Sequence, residues 1–139
     1  MNGDFVTYEI ALKLKAKGFK EKCIAYYWEK INEHTPSFLA EDNMPEDGLN
    51  ILDLLSNHNK AEWSPFIDAP TISQVLKWLR NKKDIYCLPY FEQGIDMWLY
   101  AICKPAYGCE FPEFISESDY DTYEQAAVAG IEYVLDKLI

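Results

Sequence analysis

Two apolar segments joined by a glycine-containing turn constrain the fold of this chain more than any other feature. Residues 84–91 and 95–103 are rich in aromatic and aliphatic side chains, and a Gln-Gly turn at 93–94 separates them. Glycine in the second turn position is typical of a tight β-hairpin, because it takes the positive φ that such turns need without strain. With a two-residue turn at 93–94, Tyr90 pairs with Met97 across the hairpin. The sequence therefore predicts a hairpin within a small antiparallel sheet.

Both faces of this predicted hairpin carry apolar side chains, whereas an antiparallel sheet usually keeps one polar face toward water. Two interpretations are open. Either helices or another segment cover both faces, or the face that carries Phe91, Trp98 and Tyr100 is an exposed contact surface. Aromatic side chains give a large contact area at low entropic cost. We therefore predict Phe91, Trp98 and Tyr100 as the binding residues of the chain.

Capping signals and the spacing of apolar residues predict three helices. The first spans about 8–17, with Thr7 as its N-cap and Gly18 after its last turn. The second runs from about 72 to 82, and the last from about 121 to the C-terminus; both place apolar residues on one face and follow a capping box. The last helix carries small side chains that permit close packing, at Ala126, Ala127 and Gly130.

The remaining segments complete an α+β fold. Residues 22–29 read as a well-covered strand and 63–67 as a short extended piece. Residues 32–61 are polar and acidic, and we interpret them as an insertion with a short helix near 47–57. We expect one domain over residues 1–139: a small antiparallel sheet with a β-hairpin, packed by about three helices, plus the short helix of the insertion.

The charge of the chain restricts its partners. Its 139 residues include 23 acidic and 13 basic side chains, which gives a formal net charge of -10. A negative surface repels nucleic-acid phosphates and anionic membranes, so we expect a protein partner and argue against nucleic acid and membrane. Acidic residues concentrate in 31–68 and 105–139, which indicates either a solvated surface or a patch that faces a basic partner.

The sequence also predicts the cellular location. It contains no apolar stretch of the roughly 18 to 20 residues that a membrane helix needs, and its first residues lack the pattern of a signal peptide. We therefore expect a cytoplasmic protein. The four cysteines show no Cys-x-x-Cys spacing, so we interpret them as reduced core thiols.

No motif for catalysis, a metal or a cofactor is recognisable. The two histidines, His34 and His58, lie in the polar insertion without a nucleophile or metal-ligand pattern around them. Walker and dinucleotide-binding glycine motifs are absent. Carboxylates are plentiful in 41–47 and 110–121, and we interpret them as hydrated loop residues. The sequence thus predicts no catalytic residue, no metal ligand and no cofactor.

The order of short motifs resembles a known group of proteins. A Thr-Tyr-Glu-x-Ala helix that ends in Lys-Gly-Phe, an aromatic strand, Ala-Pro-Thr-x-x-Gln before a tryptophan-containing helix, a hairpin and a Tyr-x-x-Ala-type last helix follow one another. This order is similar to that of small uncharacterised proteins of Bacteroides-type bacteria and their phages or prophages. The resemblance covers most of the chain outside 32–61. It implies a mobile-element context and carries no catalytic residues.

We therefore predict a non-enzymatic accessory or protein-interaction protein of a phage, prophage or other mobile element. Two alternatives are open. One is a small enzyme with a carboxylate-based site between the insertion and the sheet, and the other is an acidic immunity protein or nucleic-acid mimic.

Overall fold

The computed structural model describes residues 4–28, 37–38, 59, 66–105 and 114–139, and its described elements form two compact units, residues 1–71 and 72–139. The α+β class and the hairpin are confirmed. In chain order the described elements are α1 Tyr8–Ala16, β1 Ala25–Trp28, β2 Ser37–Phe38, β3 Phe66–Asp68, α2 Ile72–Lys83, β4 Tyr86–Glu92, β5 Met97–Cys103, β6 Phe114–Ile115 and α3 Tyr123–Lys137.

Helix α1 begins and ends where its capping residues predict. The Thr7 hydroxyl accepts the N–H of Ile10 at 3.3 Å, which satisfies one of the free amides of the first turn. Gly18 has a φ of 88°, in the left-handed region, and Phe19 donates its N–H to the carbonyl of Leu14 at 3.0 Å. Glycine is favoured there because it has no Cβ to clash. The predicted first helix is thus confirmed, with its end one residue earlier.

The first sheet belongs to the N-terminal unit. Its strand order is β2-β1-β3, and both pairings are antiparallel. The predicted strand over 22–29 is observed as β1, whose Tyr27 hydroxyl donates to the carbonyl of Val6 at 2.6 Å. Burial, followed by the nearby charge of Glu9, raises the pKa of Tyr27 to about 12. This hydroxyl therefore stays protonated and ties β1 to the residues before α1.

The second sheet belongs to the C-terminal unit, and it contains the hairpin in a different register from the predicted one. Its order is β4-β5-β6, all antiparallel. Tyr90 pairs with Leu99 rather than with Met97, so the predicted register is wrong by two residues. Because side chains alternate with a period of two, this shift leaves every residue on its predicted face.

The hairpin loop explains the shift in register. Its four residues, 93–96, contain a turn in which Ile95 donates its N–H to the carbonyl of Glu92 at 3.3 Å. Positive φ occurs at Asp96, at 52°, and not at Gly94. Aspartate is one of the few residues other than glycine that enter the left-handed region readily. The expected two-residue turn is therefore replaced by a four-residue loop closed by Asp96.

The third strand of this sheet lies in a stretch that the sequence marks only as turn-rich. Ile115 pairs with Ala101, and Phe114 pairs with Ile102. Farther along, Trp98 and Tyr120 exchange two backbone hydrogen bonds of 2.8 Å. The segment 114–120 thus pairs with β5 at both of its ends.

Helix α3 packs on one face of this sheet and fixes which residues are buried. A Cβ placed on Gly130 would lie 2.5 Å from the Sγ of Cys87 and 3.0 Å from the Cγ of Tyr100. The face of Cys87 and Tyr100 is therefore the covered one, and the expected close packing of the small residues of the last helix is confirmed. Helix α2 contacts both β4 and α3, and the N–H of Ile85 donates to the carbonyl of Leu79 at 3.1 Å.

Two expectations on chain organisation stay predictions. The insertion at 32–61 lies outside the described residues, apart from Ser37–Phe38 in β2 and Asn59. The short helix near 47–57 lies wholly outside them. The predicted single domain is described here as two compact units, each with its own sheet.

Candidate functional site

Tyr100, one of the three predicted contact residues, belongs to the core of the C-terminal unit. It is 6% exposed and lies beneath α3. Its N–H donates to the Oγ of Ser116 at 3.2 Å, and the N–H of Ser116 donates to its carbonyl at 2.9 Å. Burial, followed by the nearby Tyr120, raises the pKa of Tyr100 to about 12. The expectation of an exposed Tyr100 is corrected, because the last helix covers its ring.

Trp98 and Phe91 continue the same face toward the hairpin loop. The ring of Trp98 contacts the rings of Phe91 and Tyr123 edge to face, with 5.5 Å between ring centroids in each pair. Trp98 is half-buried, whereas Phe91 is 46% exposed. Of the three predicted residues, Phe91 is therefore the one that a partner can reach directly, at the end of the covered face.

The opposite face of the sheet is the one that exposes large apolar side chains. Side chains of a strand alternate between faces, so Leu88 and Leu99 point away from α3 if Cys87 and Tyr100 point toward it. Leu88 is 44% exposed and Ile115 is 49% exposed. We define the open face as five residues that lie on this side and are exposed or half-buried: Leu88, Tyr90, Met97, Leu99 and Ile115.

The open face is continuous across the three strands. Leu88 and Ile115 flank Ala101 on its two sides in the ladder, and Tyr90 lies opposite Leu99. Directly opposed side chains in an antiparallel pair have Cβ atoms roughly 5 Å apart, so these residues form one patch rather than separate points. A patch of this kind on a folded chain is typical of a contact surface.

Acidic residues border the open face on the side of the hairpin loop. Residues 86–103 and 114–124 contain no lysine or arginine. We define the acidic rim as two exposed carboxylates at the hairpin loop, Glu92 and Asp96. Glu92 pairs with Met97, which places this carboxylate at the edge of the open face itself. The combination is an apolar centre with a negative border.

A buried carboxylate in the N-terminal unit, that of Asp68, has a structural role. Asp68 is fully buried, and its Oδ2 accepts the N–H of Asn59 at 3.0 Å. The side chain of Asn59 in turn accepts the N–H of Asp68 at 3.4 Å and donates to the carbonyl of Phe19 at 2.9 Å. Burial, followed by the charge of Asp68, raises the pKa of the Cys23 thiol. Through Asn59, these contacts connect β3 to Phe19, which follows the C-terminal end of α1.

The other chemistry considered from the sequence falls partly outside the described residues. His34, His58, Cys109 and the carboxylates of 41–47 lie outside them. Among the residues that the structure describes, no three histidine, cysteine or acidic side chains are grouped to hold a metal ion. Cys23 and Cys87 are buried, as expected for core thiols, and burial raises the pKa of Cys87 to about 12.

The sequence pattern did not identify the open face. It showed that both sides of the hairpin are apolar, but the assignment of the last helix to one side depends on contacts that are distant along the chain. The strand with Ile115 was also not predicted. Gly130 was the one signal in the sequence for the covered face. Its lack of a side chain indicated a close neighbour of the helix, but the sequence did not identify that neighbour.

Comparisons with known proteins leave the resemblance untested. No protein-family model, no curated protein and no solved structure matches the chain. The similarity to small proteins of Bacteroides-type bacteria and their phages therefore stays a prediction. Within the described part of the chain, none of the helices has the length and apolar character needed to cross a membrane.

Proposed function

We propose that this chain is a non-enzymatic protein-interaction protein and that the open face is its contact surface. The observation that supports the proposal is the uneven cover of the second sheet. Helix α3 packs on the face of Cys87 and Tyr100, whereas Leu88 and Ile115 on the other face remain nearly half exposed. Burying such exposed aliphatic side chains against a partner is favourable, because it removes apolar surface from water.

Phe91 is a second proposed contact residue, at the loop end of the opposite face of the sheet. It lies next to Tyr90 on β4, its ring is exposed, and it is held in place by Trp98. A rigid aromatic side chain loses little entropy on binding, which is why such residues are frequent at the centres of interfaces. Phe91 therefore keeps its predicted contact role, while Trp98 supports it from behind.

The proposal is tested with a photo-crosslinking amino acid placed at position 88. Leu88 and Leu12 are both exposed leucines, at 44% and 38%, and they lie in different units. We expect p-benzoylphenylalanine at position 88 to crosslink a defined protein in the native host, and the same group at position 12 to crosslink none in common with it.

Charge variants provide the second part of the test. Leu88→Arg should remove the crosslinked partner from a co-purification, because an arginine cannot be desolvated at the centre of an apolar contact. Leu12→Arg is the matched control and should keep the partner. Circular dichroism of both variants checks that they fold. Equal loss of the partner in both variants, or no partner at position 88, would contradict the open face as a contact surface.

The accessory role in a phage, prophage or mobile element is retained within this proposal as a prediction from the motif order. The cytoplasmic location likewise stays a prediction from the sequence. Of the two alternatives, the carboxylate enzyme would draw on acidic residues in 41–47 that lie outside the described part. The alternative of an acidic immunity protein is favoured by one observation, the acidic rim.

A further inference from the structure

Resting on the proposed function, we infer that the partner of the open face is a basic protein surface, with apolar side chains at its centre and lysine or arginine residues at its border. The inference depends on the charge around the face rather than on the face itself. An apolar patch alone selects no partner chemistry, whereas a border of one sign does.

The segments that form the second sheet and the start of α3 carry acidic residues and no basic ones. Six acidic residues and no basic ones occur in 86–103 and 114–124: Glu92, Asp96, Glu117, Asp119, Asp121 and Glu124. All six are exposed. The basic residues of the C-terminal unit lie elsewhere, at 77–83, 104 and 137. A partner seated on the open face thus meets Glu92 at the edge of the face and Asp96 in the hairpin loop, and no lysine or arginine from these segments.

The same charges argue against two other occupants. In a symmetric dimer through the open face, both copies would bring carboxylates to the contact and neither would bring a lysine or arginine from 86–103 and 114–124. With a net charge of -10 per chain, this arrangement is repelled at long range as well. Nucleic acid is opposed for the same reason, because its phosphates have the sign of the rim. A basic protein surface is the occupant that both the centre and the border accept.

The rim carboxylates are exposed, so each should change affinity modestly. Exposed ion pairs contribute about 0.2 to 1 kcal/mol, which corresponds to roughly a 1.4- to five-fold change in dissociation constant. Removing two charges should therefore weaken binding by about two- to 30-fold. The effect should also fall with added salt, because exposed charges are screened over about 10 Å at 0.1 M ionic strength.

Two aspartates of the hairpin region provide a matched comparison. Asp84 and Asp96 both have a φ of 52° and both are exposed; Asp84 lies two residues before β4, and Asp96 lies directly before β5. Asparagine is tolerated in this conformation, so each Asp→Asn change removes one charge with the same backbone demand. The test variant is Glu92→Gln with Asp96→Asn. The control is Glu21→Gln with Asp84→Asn, which removes equal charge outside 86–103 and 114–124.

The probe is an amphipathic helical peptide of leucine and lysine, and its counterpart has glutamate at every lysine position. Binding is followed by nuclear magnetic resonance of the full chain, with amide and methyl signals assigned. We expect the lysine peptide to perturb Leu88, Leu99 and Ile115. The rim variant should weaken this binding about two- to 30-fold at low salt, and the control variant should leave it within about two-fold.

Three outcomes would overturn the inference. Equal binding of the lysine and glutamate peptides at the open face would show that the rim selects nothing, and it would leave the contact surface intact. An equal loss in the rim and control variants would show that only net charge matters. Perturbation confined to residues outside the open face would contradict a basic partner there. The contact surface itself fails separately, if crosslinking at position 88 finds no partner.

Discussion

Gly130 lies where α3 approaches the second sheet, and its replacement by alanine tests the packing that separates the covered face from the open one. A Cβ at this position would lie 2.5 Å from the Sγ of Cys87 and 3.0 and 3.1 Å from two ring atoms of Tyr100. Contacts below 3.0 Å are essentially never made by real Cβ atoms. Both neighbours are buried and have little room to turn away, so helix and sheet must move apart.

Two opposing effects set the size of the change. Alanine is about 1 kcal/mol more favourable than glycine within a helix. Forcing an extra methyl group into a well-packed core costs about 1 to 3 kcal/mol. Here the clash is with a thiol and with the stem of a ring, which puts the cost in the upper part of that range. Gly130→Ala should therefore lower the free energy of unfolding by about 1 to 2 kcal/mol.

Urea unfolding of four proteins measures this effect and assigns it to its contact. The proteins are the parent, Gly130→Ala, Cys87→Ala and the double variant. Removing the Sγ should lower the destabilisation caused by Gly130→Ala by about 1 kcal/mol. The rest of the destabilisation should persist, because the added methyl group still clashes with the ring of Tyr100. Ala129→Gly, at a half-buried position on the same helix, measures the helix-propensity effect alone. A Gly130→Ala protein as stable as the parent would refute the close approach of α3 to this face.

Three further predictions concern stability and are measured by the same unfolding experiment. Gly18→Ala should cost about 1 kcal/mol because its φ of 88° is unfavourable for alanine, whereas Gly94→Ala should be close to neutral, since its φ is not left-handed and its nearest neighbour is 3.9 Å away. Thr122→Ala should cost about 1 kcal/mol because its hydroxyl accepts a first-turn N–H at 3.1 Å, and Thr122→Ser should restore most of it. Burial raises the pKa of Cys87 from 9.0 to about 12, so the stability that its protonated thiol contributes is complete below about pH 9 and is lost as the pH rises toward 12. Between these values the free energy of unfolding of the parent should fall by about 1.4 kcal/mol more per pH unit than that of Cys87→Ala. Equal pH slopes in the two proteins would contradict the burial of the thiol.

Most of the fold follows from local patterns in the sequence. Helix α1 begins after Thr7, whose hydroxyl accepts the N–H of Ile10, and it ends shortly before Gly18. Helix α3 begins near its predicted start, although its N-cap is Thr122, which accepts the N–H of Gln125, and not Asp121 of the predicted capping box. These signals act within a few residues, so a linear reading captures them. The hairpin register was wrong because Asp96, and not Gly94, supplies the left-handed residue. Either residue can do so, and the sequence does not say which loop is lower in energy.

The candidate site was harder to predict because it depends on contacts between distant segments. Tyr100 and Leu99 are neighbours with similar apolar character, yet one is buried under α3 and the other lies on the open face. Alternation assigns them to opposite faces but does not say which face the helix covers. The pairing of Ile115 with Ala101 spans a turn-rich stretch without strand signals. Periodicity therefore found the two faces, and tertiary packing chose between them.

An exposed apolar face also creates a risk of self-association, and the acidic rim gives a physical answer to it. Two copies that approach through their open faces each bring Glu92 and Asp96 to the contact, and neither brings a lysine or arginine from 86–103 and 114–124, so the charges repel. A basic partner turns the same charges into attraction. The rim should therefore oppose self-association and favour the partner at once, and one pair of substitutions should change both properties in opposite directions.

Sedimentation velocity over a range of concentrations tests this last step. Glu92→Gln with Asp96→Asn should raise the weight-average sedimentation coefficient with concentration more steeply than in the parent, while the same protein binds the lysine peptide more weakly. The control with Glu21→Gln and Asp84→Asn removes equal charge outside 86–103 and 114–124 and should sediment like the parent. If the rim variant stays monomeric wherever the parent does, the carboxylates do not guard the open face. Because the face and its border would then act independently, the selection of a basic partner by the rim would lose its second support.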